Sequence, residues 1–78
     1  MSTAEALLET VERRRLPDPE SCRQIRERAG ITQTELAEPL GVTGGAVSRW
    51  EAGLRTPRGG MASRYADLLW ALERRVRS

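Results

Sequence analysis

Residues 32–53, TQTELAEPLGVTGGAVSRWEAG, constrain the fold more than any other part of the chain. They spell two short helices joined by a tight turn. Thr32 stands three residues before Glu35, the spacing of a capping box, in which each side chain satisfies a free backbone amide of the other residue. Ile31 and Leu36 flank that cap at the spacing of a hydrophobic staple. Leu36, Ala37 and Leu40 recur at the helical period. Gly41 offers the backbone freedom that a sharp turn needs. Thr43 is placed to cap the second helix, and Val42 with Val47 repeats the staple. Val47 and Trp50, three apart, share a face. Gly53 suits a left-handed cap at the end. Two helices joined in this way, the second turning polar residues outward, form a geometry able to read DNA.

On these residues the chain resembles the helix-turn-helix domain of phage repressors and Cro proteins, the XRE family. The likeness rests on Gln33, Glu35, Leu36 and Ala37, on Gly41, and on the Trp50-Glu51-x-Gly53 run, and it covers about residues 22–72. It implies an all-α fold, a compact five-helix, lambda-repressor-like DNA-binding domain, with double-stranded DNA as the partner. It also implies that Gln33 meets a phosphate and braces the reading helix. A helix start does offer free amides and a positive dipole to an anion; an exposed polar residue at a helix start is the plainer alternative. The resemblance further implies that the loop bearing Arg55, Thr56 and Arg58 lies along the DNA backbone, positioning the protein without specifying sequence. A solvated basic loop is the alternative there. Arg26 and Glu51 stand where related domains hold an ion pair that orients the reading helix.

Two features depart from the family pattern. Pro39 falls inside the first motif helix, where it removes a donor and crowds the preceding turn, so a distorted last turn is expected. Gly44 and Gly45 occupy the start of the second motif helix, where relatives carry polar side chains that reach bases. Two glycines make no such contacts and cost about 1 kcal/mol each in helix propensity. They allow close approach of backbone to DNA, or they signal relaxed readout. Arg49 is then the first candidate for base reading. Helical spacing sets it on the side of Gly45 and away from Val47 and Trp50. An Arg in the major groove bonds guanine O6 and N7 together; contact with phosphate or solvent alone is the alternative. Ser48 and Thr43 are weaker candidates, Thr43 because it is needed as a cap.

Composition narrows the rest. The 78 residues make one small domain with a thin core, since a chain of this size buries only about 60% of its unfolded surface. A net charge of +2 does not by itself mark a nucleic-acid partner. All 13 basic residues are Arg, whose planar fork suits phosphate and guanine, although the codon bias of a GC-rich genome is the plainer explanation. A single cysteine excludes an internal disulfide, and without histidine a metal site is not expected. Cys22 falls in a stripe with Ile25 and Ala29 and is read as a small core residue. No apolar run is long enough for a membrane helix. The Glu and Arg of residues 1–16 do not form a signal peptide, so a cytoplasmic protein of a bacterial or phage-infected cell is expected.

Five helices are the economical organisation. An N-terminal amphipathic helix in residues 1–16, spanning about 4–15 with Thr3 as its cap, precedes a helix-turn-helix domain in residues 18–77. Asp18 caps the next helix, with Pro19 at its first position and its end near Gly30. The last helix spans about residues 61–76. Its positions Met61, Tyr65, Leu68, Leu69, Leu72 and Val76 form one apolar stripe at about 100° per residue, with Trp70 nearly opposite. A large aromatic off the core face implies a second contact surface. Either the first helix, with Ala4, Leu7, Leu8 and Val11, covers it, or a second subunit does. The functional expectation is a sequence-specific, Cro/repressor-like transcriptional regulator of phage or mobile-element type, binding as a homodimer through the Trp70 face or the N-terminal helix. An antitoxin-like module that docks a protein partner and also binds DNA is the alternative. No catalytic constellation, metal cluster or cofactor loop is legible, and no enzyme is expected.

Overall fold

The computed structural model describes the backbone of residues 3–78 and the side chains of residues 3–8 and 15–78. Five helices follow one another: α1 (Thr3–Arg14), α2 (Pro19–Arg28), α3 (Gln33–Leu40), α4 (Gly44–Glu51) and α5 (Gly60–Arg77). Thr3 lies inside α1 instead of capping it, and α5 extends one residue beyond the expected 61–76 at each end.

The three middle helices share one plan. Each begins on a side-chain oxygen that accepts an otherwise unpaired backbone amide. Asp18 accepts from the Ser21 amide at 3.2 Å and from the Ser21 hydroxyl at 2.6 Å. Thr32 Oγ1 accepts from the Glu35 amide at 3.0 Å, and Glu35 returns the bond to the Thr32 amide at 2.9 Å. Thr43 Oγ1 accepts from the Ala46 amide at 3.1 Å. The Thr32 amide holds the Glu35 carboxyl below its ordinary pKa range. The capping box is therefore complete above that range and weakens as pH falls through the lowered value.

Each of these helices also closes with the paired bonds of a Schellman motif. At the end of α3 the Gly41 amide donates to Glu38 at 3.1 Å and the Val42 amide to Ala37 at 3.2 Å. Gly41 sits at φ +71°, a left-handed conformation that costs an L side chain. The same pattern, with Gly30 and Gly53 in the corresponding place, ends α2 and α4. Pro39 does not interrupt α3, which runs through it to Leu40. Its missing amide removes one bond near the helix end, and the closing bonds bypass it. The Pro39 carbonyl accepts instead from Arg64 of α5 at 3.2 Å.

The core is Cys22 and Ile25 of α2, Leu36, Ala37 and Leu40 of α3, Val47 of α4, and Tyr65 and Leu69 of α5. Burial pushes the Cys22 thiol up to about 11, so it stays protonated, donating to the Pro17 carbonyl at 3.3 Å. Trp50 packs on Tyr65 with ring centroids 4.9 Å apart. The apolar stripe of α5 is covered along most of its length, but Val76 is 44% exposed. At 18 residues α5 is about 27 Å long and outruns α2, α3 and α4, which have 10, 8 and 8 residues. Buried Glu73 ties α5 to α2 through Arg28 at 3.0 Å and bonds Arg77 at 2.8 Å. Arg28 first, then Arg77, hold its carboxyl below the ordinary range.

Helix α1 packs against α5. Trp70 is half-buried, and its indole Nε1 donates to the Arg15 carbonyl at 3.0 Å. The end of α1 thus meets the face that the helical wheel left open. Leu7 and Leu8 remain 63% and 62% exposed; the Val11 side chain lies outside the described residues.

A Cβ at residue 41 meets nothing within 4 Å, so Gly41→Ala isolates the cost of the left-handed backbone. It is expected to lower stability by about 1–2 kcal/mol, read as a fall in the urea midpoint with unchanged slope.

Candidate nucleic-acid interface

Helix α4 has two faces. Val47 and Glu51 are buried, whereas Thr43, Gly45, Ser48 and Arg49 are exposed along the outer side. The inner face is fixed by a polar node. Arg26 Nε donates to Glu51 Oε2 at 2.6 Å and Arg26 Nη2 to Glu51 Oε1 at 2.9 Å, a two-pronged pairing. The third arm, Arg26 Nη1, donates to the Ile31 carbonyl at 2.7 Å. Gln33 Nε2 donates to Glu51 Oε1 at 3.0 Å. One carboxylate therefore gathers α2, the start of α3 and the end of α4. Gln33 is half-buried, with its amide spent on this brace.

The two glycines of α4 differ in role. A Cβ on Gly44 would lie 2.8 Å from Thr34 Oγ1 and 3.4 Å from Thr34 Cα. Gly44 thus faces α3, and its missing side chain permits the close crossing of the two motif helices. A Cβ on Gly45 would meet only Arg49 Nη1 at 3.5 Å and Thr43 Oγ1 at 3.7 Å, ordinary contacts. Gly45 is on the outer face, and the Arg49 guanidinium lies beside it. Thr43 is exposed, but its hydroxyl accepts the cap bond.

The loop after α4 is pinned to the same helix. The Leu54 and Arg55 amides both donate to the Arg49 carbonyl, at 2.9 and 3.3 Å, and Pro57 is buried. This brings Arg49 and Arg55 to one groove of about 350 Å³, floored by Ala46 and Trp50. Arg55, Thr56 and Arg58 line a second groove of about 700 Å³ between the end of α4 and Met61. Ser48 stands on the exposed side of α4 in neither groove. The outer surface thus offers guanidinium groups and few carboxylates, the balance an anionic partner needs. Sequence reasoning missed the contacts of Thr34 with Gly44 and of Glu73 with Arg28. Both join residues distant along the chain; only the Glu73–Arg77 spacing of four signalled that Glu73 had a partner.

A family model described as helix-turn-helix matches residues 23–69, more than half of the chain. The chain belongs to the XRE family of helix-turn-helix proteins, of the Cro/C1 type. It is thereby a DNA-binding helix-turn-helix regulator, in a family whose members are typically not enzymes. No curated protein and no solved structure matches it. Among the described residues, no helix is long and apolar enough to cross a membrane.

Removing one partner of the polar node leaves charge buried without compensation. Glu51→Ala is therefore expected to destabilise the domain by about 3–5 kcal/mol, seen in the denaturant midpoint. The glycines should separate in the same assay. Gly45→Ala is expected to stabilise by up to about 1 kcal/mol. Gly44→Ala should gain less than this, and should recover the gain when Thr34→Ala removes the hydroxyl it would strike.

Proposed function

We propose that the chain is a sequence-specific transcriptional regulator of the Cro/repressor kind, serving a phage or mobile element, that binds double-stranded DNA with α4 in the major groove. The observation that carries this reading is the arrangement around Arg49. It is the only exposed long polar side chain on α4, it lies beside the bare backbone of Gly45, and it shares a groove with Arg55. In this reading Arg49 bonds one guanine through O6 and N7. Gly45 lets the start of the helix sit deep in the groove, and Ser48 meets a backbone phosphate. Thr43 stands at the groove edge as a cap. Arg55, Thr56 and Arg58 hold the flanking phosphates, and the backbone amides of Gln33 and Thr34 at the start of α3 face another. Two subunits on two half-sites supply the area that one small reading head lacks. Such a partner places the protein in the interior of a bacterial or phage-infected cell.

A second reading, an antitoxin-like module that docks a protein partner while binding DNA, is supported by the exposed Leu7 and Leu8. It expects a neighbouring toxin gene, or co-purification with the toxin, and either observation separates the two.

Selection from a random DNA pool defines the operator, and titrations then test the roles. Arg49→Ala is expected to weaken operator binding by about 1–3 kcal/mol and to relax preference at one guanine. Arg55→Ala and Arg58→Ala should weaken operator and random DNA alike, each lowering the slope of log K against log salt by about 1. Equal loss on operator and random DNA for Arg49→Ala would remove it from base reading.

A further inference from the structure

We propose that the chain carries a small-molecule effector site between the α1–α2 linker and the loop after α4, and that this site takes a short-chain monocarboxylate. The proposal rests on the reading above only for its effect on DNA. A pocket of about 130 Å³ lies there, with room for several waters or for a molecule of about six non-hydrogen atoms. Pro17 and Pro19 of the linker, together with Trp50, give it apolar walls. Tyr65 and Cys22, both buried, form its inner end, and Arg55 and Thr56, both exposed, form its outer end.

The Tyr65 hydroxyl is the second observation. It is buried and has no hydrogen-bond partner, a state that costs about 1–3 kcal/mol until an acceptor arrives. The Cys22 thiol beside it is a weak acceptor, and the thiol's own proton goes to the Pro17 carbonyl. At the outer end, Arg55 holds no ion pair among the described residues. Tyr65 and Arg55 both donate, and no acidic side chain among the described residues lines the pocket. A carboxylate supplies an acceptor and a countercharge together, and a short alkyl body suits the prolines and the indole. A neutral alcohol serves only the hydroxyl, and an amine meets like charge at Arg55. Arg55 is also assigned to a flanking phosphate in the reading above. A carboxylate on its guanidinium therefore competes with DNA, and DNA lowers the affinity for the carboxylate by the same factor.

The test uses the full chain, with sodium butyrate, 1-butanol and butylammonium chloride as probes. Without DNA, butyrate is expected to shift the backbone amide resonances of Cys22 and Thr56 saturably, with a Kd of about 1–10 mM. Sodium chloride at the same concentration should not. 1-Butanol should bind at least about tenfold more weakly, and butylammonium should not bind. Tyr65→Phe deletes an unpaired hydroxyl, so the thermal melt should hold or rise while butyrate affinity falls at least about fivefold. Arg55→Gln, at an exposed position, should bring butyrate down to the level of 1-butanol, and it decides the matter if Tyr65→Phe fails to fold. On operator DNA, about 50 mM butyrate should weaken binding at least about threefold beyond the same concentration of sodium chloride. Tyr65→Phe should lose most of that excess and keep butyrate-free DNA binding within about twofold. Shifts no larger than those of sodium chloride leave only water in the pocket and overturn the proposal. Equal binding of butyrate and 1-butanol overturns it too, as does full butyrate affinity in a folded Tyr65→Phe. Butyrate that binds without weakening DNA overturns the competition at Arg55. If butyrate binds as described but no form of the chain binds DNA, the DNA-reading proposal fails and this site stands.

Discussion

The structure turns on the Arg26–Glu51 pair and the Gln33 amide that joins it. Three helices are too short to hold one another by apolar area alone, and α3 and α4 have only eight residues each. A two-pronged ion pair fixes direction as well as distance, because the guanidinium plane and the carboxylate plane must coincide. The third guanidinium nitrogen, on the Ile31 carbonyl, locks Arg26 to the turn that leads into α3. The net stabilisation of a buried pair is small, since desolvation offsets attraction. Its consequence is orientational: it sets the rotation of α4 about its own axis, and that rotation decides which residues face outward.

With the inner face of α4 held, the outer face follows from backbone chemistry. Gly44 lets α4 cross α3 where a Cβ would strike the Thr34 hydroxyl, and Gly45 leaves the next outward position bare. Arg49 is then the one long polar side chain exposed on that outer face of α4. The Schellman closure of α4 returns the chain so that Arg55 lies beside it. A small domain thus concentrates positive charge through geometry, with a net charge of only +2.

The other end of the molecule is governed by length. Helix α5 extends past the helices that cover it, and α1 meets that extension with Arg15 and Trp70 while leaving its own leucines exposed. For a chain this small, apolar surface left open at one end is a resource for association as well as a loss of core. The outer face of α4 and the α1–α5 end carry different chemistry, so each can be altered without the other.

Much of the local structure was legible in the chain. Asp18, Thr32 and Thr43 announce three helix starts, and Gly30, Gly41 and Gly53 their ends, because caps depend on residues within a few positions of one another. The buried stripe of α5 and the outward placement of Arg49 follow from the helical period alone. The Arg26–Glu51 pairing came only from family likeness, since 25 residues separate its members. Tertiary structure alone decided that Gly44 serves the contact with Thr34 and that Pro39 leaves α3 intact. It also decided that Val76 escapes the core and that Trp70 meets a carbonyl of the first helix. A capping residue finds its partner one turn away whatever the fold does. A glycine, an indole or a helix end acquires its meaning only from what another part of the chain brings against it.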